Sequence, residues 1–255
     1  MTPSIRSTVI GQGKPLVLLH AFPLSHKLFA GLQPPTGYAF ILPDFPGFGQ
    51  SPLANPGLTL AEAADGLENH LKDLNLSSPV VLGGISMGGY WAMEFLRRYP
   101  SKASKILFIS TRPGVDKPEG RQNRLNMAEK VVKDGTGYLV EAMTPGLLGK
   151  TSLNEKPEAI RTLGQWIRET DPKAVALAQR AMADRRDQTD LMPRITAPTM
   201  ILAGREDNLI PVSESESMAK AIPSCRLEIL ERVGHLVPLE NPDEFQKILA
   251  RFVAE

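Results

Sequence analysis

Through the first half of the chain, short apolar runs alternate with amphipathic stretches, and no other feature narrows the folding options as much. Such runs are too short for independent helices and too uniformly apolar for strands with one wet face. They fit parallel strands covered on both faces by the helices that connect them. The predicted strands are Leu16 to His20, Tyr38 to Leu42, Val80 to Gly84, Lys105 to Ser110, Thr199 to Ala203 and Arg226 to Leu230. Between the second and third, Leu60, Ala63, Ala64, Leu67, Leu71 and Leu74 recur at helical spacing behind a Thr59/Glu62 capping box. At the end of the chain Asn241 and Pro242 start a helix whose Phe245, Ile248, Leu249 and Phe252 form one stripe.

From Thr111 to about Ile195 the alternation stops. Helix-like pieces follow, punctuated by Pro113, Pro118, Pro145, Pro157 and Pro172, and the strand pattern resumes at Ala197. The expected fold class is therefore α/β: a mostly parallel sheet flanked by helices, built from residues 1–111 and 196–255. Residues 112–195 are expected to form a helical cap inserted over the C-terminal edge of the sheet, where open α/β sheets bind ligands.

With 255 residues, 42% of them hydrophobic, the chain can fill one sizeable core and a small insertion. Lys and Arg number 29 against 28 Asp and Glu, a balance too even to gather polyanions or an anionic membrane, so neither nucleic acid nor membrane is an expected partner. The single cysteine, Cys225, falls in a predicted strand and reads as a buried structural thiol with no intramolecular disulfide. No stretch approaches the roughly 18 apolar residues of a membrane span, and the first residues lack an apolar signal segment; a cytoplasmic protein is expected. No His/Cys/Asp cluster has metal-ligand spacing, so no metal or cofactor is expected. Oligomeric state has no signal here.

Gly84-Ile85-Ser86-Met87-Gly88 matches G-x-S-x-G, between an apolar strand and the helix-like segment Tyr90 to Leu96. A serine hydroxyl attacks only when a base takes its proton. Among the four histidines, His70 and His26 read as surface or structural residues and His20 as a hydrogen-bonding loop residue. His235 follows the last strand in a glycine-bearing loop, which allows it to face the strand ends to which Ser86 points. Asp207, after the Thr199 strand, is the preferred acid to orient it; Glu206 and Asp116 are the alternatives. The backbone N–H groups of Met87 and Phe22 are the expected donors to an oxyanion. Leu24, Met143, Trp166 and Leu236 are the expected pocket lining, with Met127 and Met182 as further cap candidates, although such cap residues are more often ordinary helix core. Arg121, Arg124, Arg161 and Arg168 read as a solvated helix face rather than as partners of an acidic substrate.

These segments together resemble the α/β-hydrolase superfamily over nearly the whole chain. Besides the serine turn, Leu18 to Pro23 is similar to its oxyanion loop, Asp44-Phe45-Pro46-Gly47-Phe48-Gly49-Gln50-Ser51 to its D-x-x-G-x-G-x-S turn, and Gly234-His235 with Glu240-Asn241-Pro242 to the segment after its last strand. Ala21 stands where a glycine is usual. Only about fifteen residues precede Leu16, so the first strand of the superfamily's N-terminal hairpin is expected to be missing or short. Within the superfamily, the resemblance is to small bacterial carboxylesterases, 3-oxoadipate enol-lactonases and cofactor-free haloperoxidases or perhydrolases. Serine at position 86 argues against epoxide hydrolases and haloalkane dehalogenases, which carry aspartate there. Ile85 and Leu236 argue against the ring-fission carbon–carbon hydrolases. The resemblance implies a serine hydrolase that cleaves a small carboxylic ester or lactone through an acyl-enzyme on Ser86. Perhydrolysis at the same residues and a non-enzymatic small-molecule sensor are the alternatives.

Overall fold

The computed structural model describes residues 2–76 and 78–255. Among the described residues seven strands form one sheet: β1 (Arg6–Gly11), β2 (Lys14–Leu19), β3 (Tyr38–Asp44), β4 (Val80–Ile85), β5 (Ala103–Ile109), β6 (Thr199–Gly204) and β7 (Cys225–Leu230). Their spatial order is β1-β3-β2-β4-β5-β6-β7, with β1 antiparallel to β3 and every other pair parallel. The C-terminal ends of β2 to β7 therefore share one edge. Strand β4 is buried along its whole length, as its continuous apolar sequence requires.

Strand β1 corrects the expectation of a missing or short first strand. It has six residues, as many as β2, and runs in register from Arg6 opposite Asp44 to Gly11 opposite Ala39. At the sheet edge its residues are half-buried or exposed and none is buried, which is why its sequence lacks a full apolar run. Cys225 is half-buried rather than buried, and burial pushes its thiol up to about 11.

Helix α1 (Leu60–Asp73) begins with the reciprocal bonds of a capping box: Thr59 Oγ1 accepts from Glu62 N at 3.1 Å and Glu62 Oε2 from Thr59 N at 3.0 Å. It packs on α2 (Met87–Arg98), which lies against β2, β4 and β5. Between β5 and β6 come α3 (Pro118–Asp134), α4 (Gly137–Leu147), α5 (Lys150–Glu155), α6 (Pro157–Glu169) and α7 (Pro172–Ala183). Proline occupies the first position of α3, α6 and α7, where its fixed φ suits a helix start and no hydrogen bond is lost. Within this block α3 packs on α7 and α4 on α6. The chain returns through β6, α8 (Val212–Ala221), β7, the single turn α9 (Val237–Glu240) and α10 (Pro242–Ala254). The α10 stripe of Phe245, Ile248, Leu249 and Phe252 is buried, each side chain contributing about 2–3 kcal/mol relative to exposure.

Candidate active site

Ser86 sits between β4 and α2 with φ 53° and ψ −112°, a backbone conformation that a residue with a Cβ adopts at a cost. The glycines beside it are required by close approach. A Cβ on Gly84 would stand 2.3 Å from the Gly88 carbonyl oxygen, and one on Gly88 would stand 2.2 Å from that of Leu19. The end of β5 pins the turn: Ser86 N donates to Ile109 O at 3.0 Å and Thr111 Oγ1 donates to Ser86 O at 2.9 Å. The strain thus presents the serine side chain above the sheet edge on a rigid base.

Two other strand ends supply an imidazole and a carboxylate. After β6, Asp207 Oδ1 accepts from the Leu209 and Ile210 N–H groups, both at 2.9 Å, and Oδ2 lies 2.8 Å from His235 Nδ1. A carboxylate only accepts, so this contact assigns the ring proton to Nδ1 and leaves Nε2 as an acceptor. His235 Nε2 is buried and has no hydrogen-bond partner among the described residues. Burial alone would raise the Asp207 carboxyl. The His235 ring and the two backbone donors outweigh it and hold the group below its ordinary value, which keeps it ionised.

The His235 loop rests on a carboxylate to which the sequence reading gave no role of its own. Glu240, wholly buried, accepts from Gly234 N at 3.0 Å and Gly149 N at 2.8 Å through Oε2, and from Leu236 N at 3.0 Å through Oε1. It brackets His235 on both sides and ties the loop to the start of α5. Glu206 makes a second tie, accepting from Thr151 N at 2.7 Å and Thr151 Oγ1 at 2.8 Å. The available signal for Glu240 was an acid closing the apolar run His235-Leu236-Val237-Pro238-Leu239, where only an array of donors makes burial tolerable.

Ser86 and His235 line the same cavity, of about 230 Å³. Phe22 and Met143 line it too, as do Met127 and Met182. The Phe22 and Met87 N–H groups donate to no described residue, and the Met87 side chain is in the core. Three lining expectations are corrected. Leu24 and Leu236 are fully buried under the loops and present no surface to the cavity. Trp166 lines a different hollow beside His26 and Glu169. It precedes Ile167 of the buried α6 stripe, and the turn of about 100° per residue carries it to another flank.

Charged residues divide differently from expectation as well. Arg124 lines the cavity instead of a solvated face, Arg112 joins it, and Arg121 pairs with exposed Asp184 at 2.6 Å. Asp116, an alternative acid, is held by Arg112, Arg124 and Arg185 and not by His235. His70 Nε2 contacts Ser7 Oγ at 2.8 Å. His20 is fully buried, with Nε2 accepting from Phe45 N at 2.9 Å and Nδ1 donating to Ala21 O at 3.0 Å. His26 Nδ1 lies 2.8 Å from Asp44 Oδ2. Among the described residues no three potential metal ligands gather, and no helix is long and apolar enough to cross a membrane.

Known proteins give this geometry a family. The model of the alpha/beta hydrolase fold matches residues 14–242. A thermophilic esterase from Thermogutta terrifontis, solved with malate bound, is 34% identical, with a TM-score of 0.94 over 98% of this chain and 93% of that one. A pimeloyl-[acyl-carrier protein] methyl ester esterase from Aromatoleum aromaticum is 26% identical over 90% of this chain and 94% of its own length. The enol-lactonase of Burkholderia xenovorans LB400 shares the fold, at 19% identity and a TM-score of 0.86, covering 98% of this chain and 94% of that one. A family model spanning most of the chain, a seven-stranded sheet of matching topology and relatives that are esterases agree: the chain belongs to the alpha/beta hydrolase family.

Proposed function

We propose that this protein is a serine hydrolase that cleaves a carboxylic ester or lactone through an acyl-enzyme on Ser86. One observation carries the reading: a serine on a strained strand-to-helix turn shares a cavity with a histidine whose far ring nitrogen is bonded to a buried carboxylate and whose near one is free to accept. In this reading His235 Nε2 takes the Ser86 proton as Oγ adds to the ester carbonyl. Asp207 keeps the ring in the required tautomer and stabilises the imidazolium that forms. The N–H groups of Phe22 and Met87 receive the oxyanion, and the imidazolium protonates the departing alkoxide. Water then enters by the same route, giving its proton to His235 and its oxygen to the acyl carbon, and Ser86 is released.

The esterase relatives support this reading at the level of reaction type. Residues 112–195 serve in it as a cap over the cavity. The lone cysteine asks for no oxidising compartment, and we assign the enzyme to the cytoplasm on that ground. The test compares wild type with Ser86→Ala on short p-nitrophenyl esters. Turnover is expected to fall by about three orders of magnitude or more; equal rates would overturn the assignment.

A further inference from the structure

Acyl transfer leaves unused the charge that the cavity carries. Arg112 and Arg124 line it, while no Asp or Glu among the described residues does; its other walls include Tyr90, Met127 and Met143. Behind the two arginines lies Asp116, whose Oδ1 accepts from Arg112 Nη2 at 2.9 Å and Arg185 Nη2 at 3.1 Å. Its Oδ2 accepts from Arg124 Nε and Arg185 Nη1, both at 2.6 Å. Four donors fill that carboxylate's acceptor sites. Three guanidinium groups thus share one carboxylate, and the cluster keeps a positive excess. Arg185 is buried, stacked 4.4 Å from the Tyr90 ring and bonded to two carbonyl oxygens, so the excess is presented by the other two. Half-buried Glu214 makes a salt bridge of 3.8 Å with Arg112 Nη1, too long for a hydrogen bond, and three guanidinium groups against two carboxylates still leave one positive charge in excess. Arg112 Nη1 and Arg124 Nη2 donate to no described residue.

Partly desolvated guanidinium groups with spare N–H donors beside apolar walls favour a planar anion that accepts two hydrogen bonds at once. The volume of about 230 Å³ lies below the usual range for drug-sized ligands, which limits the occupant to a short chain. We propose that the cavity selects half-esters of short dicarboxylic acids, with Arg112 and Arg124 receiving the free carboxylate while the ester carbonyl lies at Ser86. This rests on the serine hydrolase reading. Water adds across the acyl–oxygen bond, the alcohol departs with one proton, and the second carboxyl is released and ionises.

Two measurements test it. In the first, kcat/KM for monomethyl glutarate is compared with that for dimethyl glutarate; wild type is expected to prefer the half-ester at least tenfold. Arg112→Gln should reduce that ratio tenfold or more, and Arg112→Lys should restore part of it. Because both arginines also brace Asp116, Arg112→Gln and Arg124→Gln are each read only alongside a thermal unfolding curve that matches wild type. In the second, calorimetry follows glutarate, butyrate and inorganic phosphate binding to Ser86→Ala, where no turnover is needed. Glutarate should bind at least tenfold more tightly than butyrate, and adding Arg112→Gln should remove the difference. An equal preference for both esters, an unchanged ratio in folded Arg112→Gln, or glutarate binding no tighter than butyrate or phosphate would each overturn the proposal. If neither ester is cleaved but glutarate binds through Arg112, the serine hydrolase reading fails and the carboxylate site stands.

Discussion

Two histidine–aspartate pairs lie at the same edge of the sheet with the same contact, Nδ1 to Oδ2 at 2.8 Å: His235 with Asp207 and His26 with Asp44. In both, burial would raise the carboxyl, yet hydrogen bonds and the facing histidine hold it below its ordinary value. They differ in what else each member touches. Asp44 also accepts from His26 N and Gln50 N, which knits the loops after β2 and β3 together, and His26 borders a hollow that does not contain Ser86. Asp207 fixes its own turn, and His235 presents a buried, unpartnered Nε2 on the cavity of Ser86. A histidine–aspartate contact is therefore no signature of catalysis. What differs is the environment of the second ring nitrogen, which in the proposed reaction makes His235 the base while His26 ties two loops together.

The largest expected effect breaks the likeness between the pairs. Asp207→Asn should lower kcat on a p-nitrophenyl ester by about 10³–10⁴-fold, because the amide no longer enforces the tautomer that leaves Nε2 free. Asp44→Asn should leave kcat within a few-fold. It should instead cost roughly 2–3 kcal/mol in urea unfolding, since one of several buried donors then meets a donor. Reversed outcomes would exchange the two roles. Next in size is Glu240→Gln: a carboxamide cannot accept from all three backbone N–H groups as the carboxylate does. Displacement of His235 should reduce kcat about tenfold and slow phosphonylation of Ser86 by a small phosphonylating agent to a similar degree, since both need the histidine as base.

The smallest effect is on the pH dependence of stability. Burial lowers the His20 pKa below 6.5, so the unfolded chain takes up this proton first; the contribution is complete at high pH and is lost as pH falls below 6.5. Asp44 and Asp207 are lowered from 3.8, so theirs persists above that value and drains as pH falls through it toward the native values. Urea midpoints should thus decline in two stages between pH 8 and pH 3. Asp44→Asn should flatten the second stage; an unaltered acid limb would show that the pair contributes no linked stability.

The parts of the molecule set by local patterning were legible in the sequence. Strands β2 to β6 have apolar runs because both faces are covered, and the tight turn around Ser86 needs glycines that no other residue can replace. The order of serine, acid and histidine along the chain came from the resemblance to the superfamily, and the shared edge of the strand ends accommodates it. The cavity wall was not legible, because it depends on how α3, α4 and α7 pack rather than on any one period. Trp166 and Met143 are both large residues in helices between β5 and β6, and their sequences alone do not say which flank meets the strand ends. Arg112 lies four residues before Asp116 and Arg124 eight after it, but only the folded segment between β5 and β6 gathers them, with distant Arg185, around its carboxylate. The role of Glu240 was not legible because its partners are backbone groups, which carry no side-chain signature.

The backbone at Ser86 has a consequence for how this protein would respond to selection. A left-handed φ on a serine costs about 1–3 kcal/mol, and a glycine at the same place would be nearly free of that cost. A search for heat-resistant variants that did not also demand turnover would be drawn to position 86. Its most rewarding single change there would discard the hydroxyl, so under the proposed reaction hardiness and chemistry compete for the same residue.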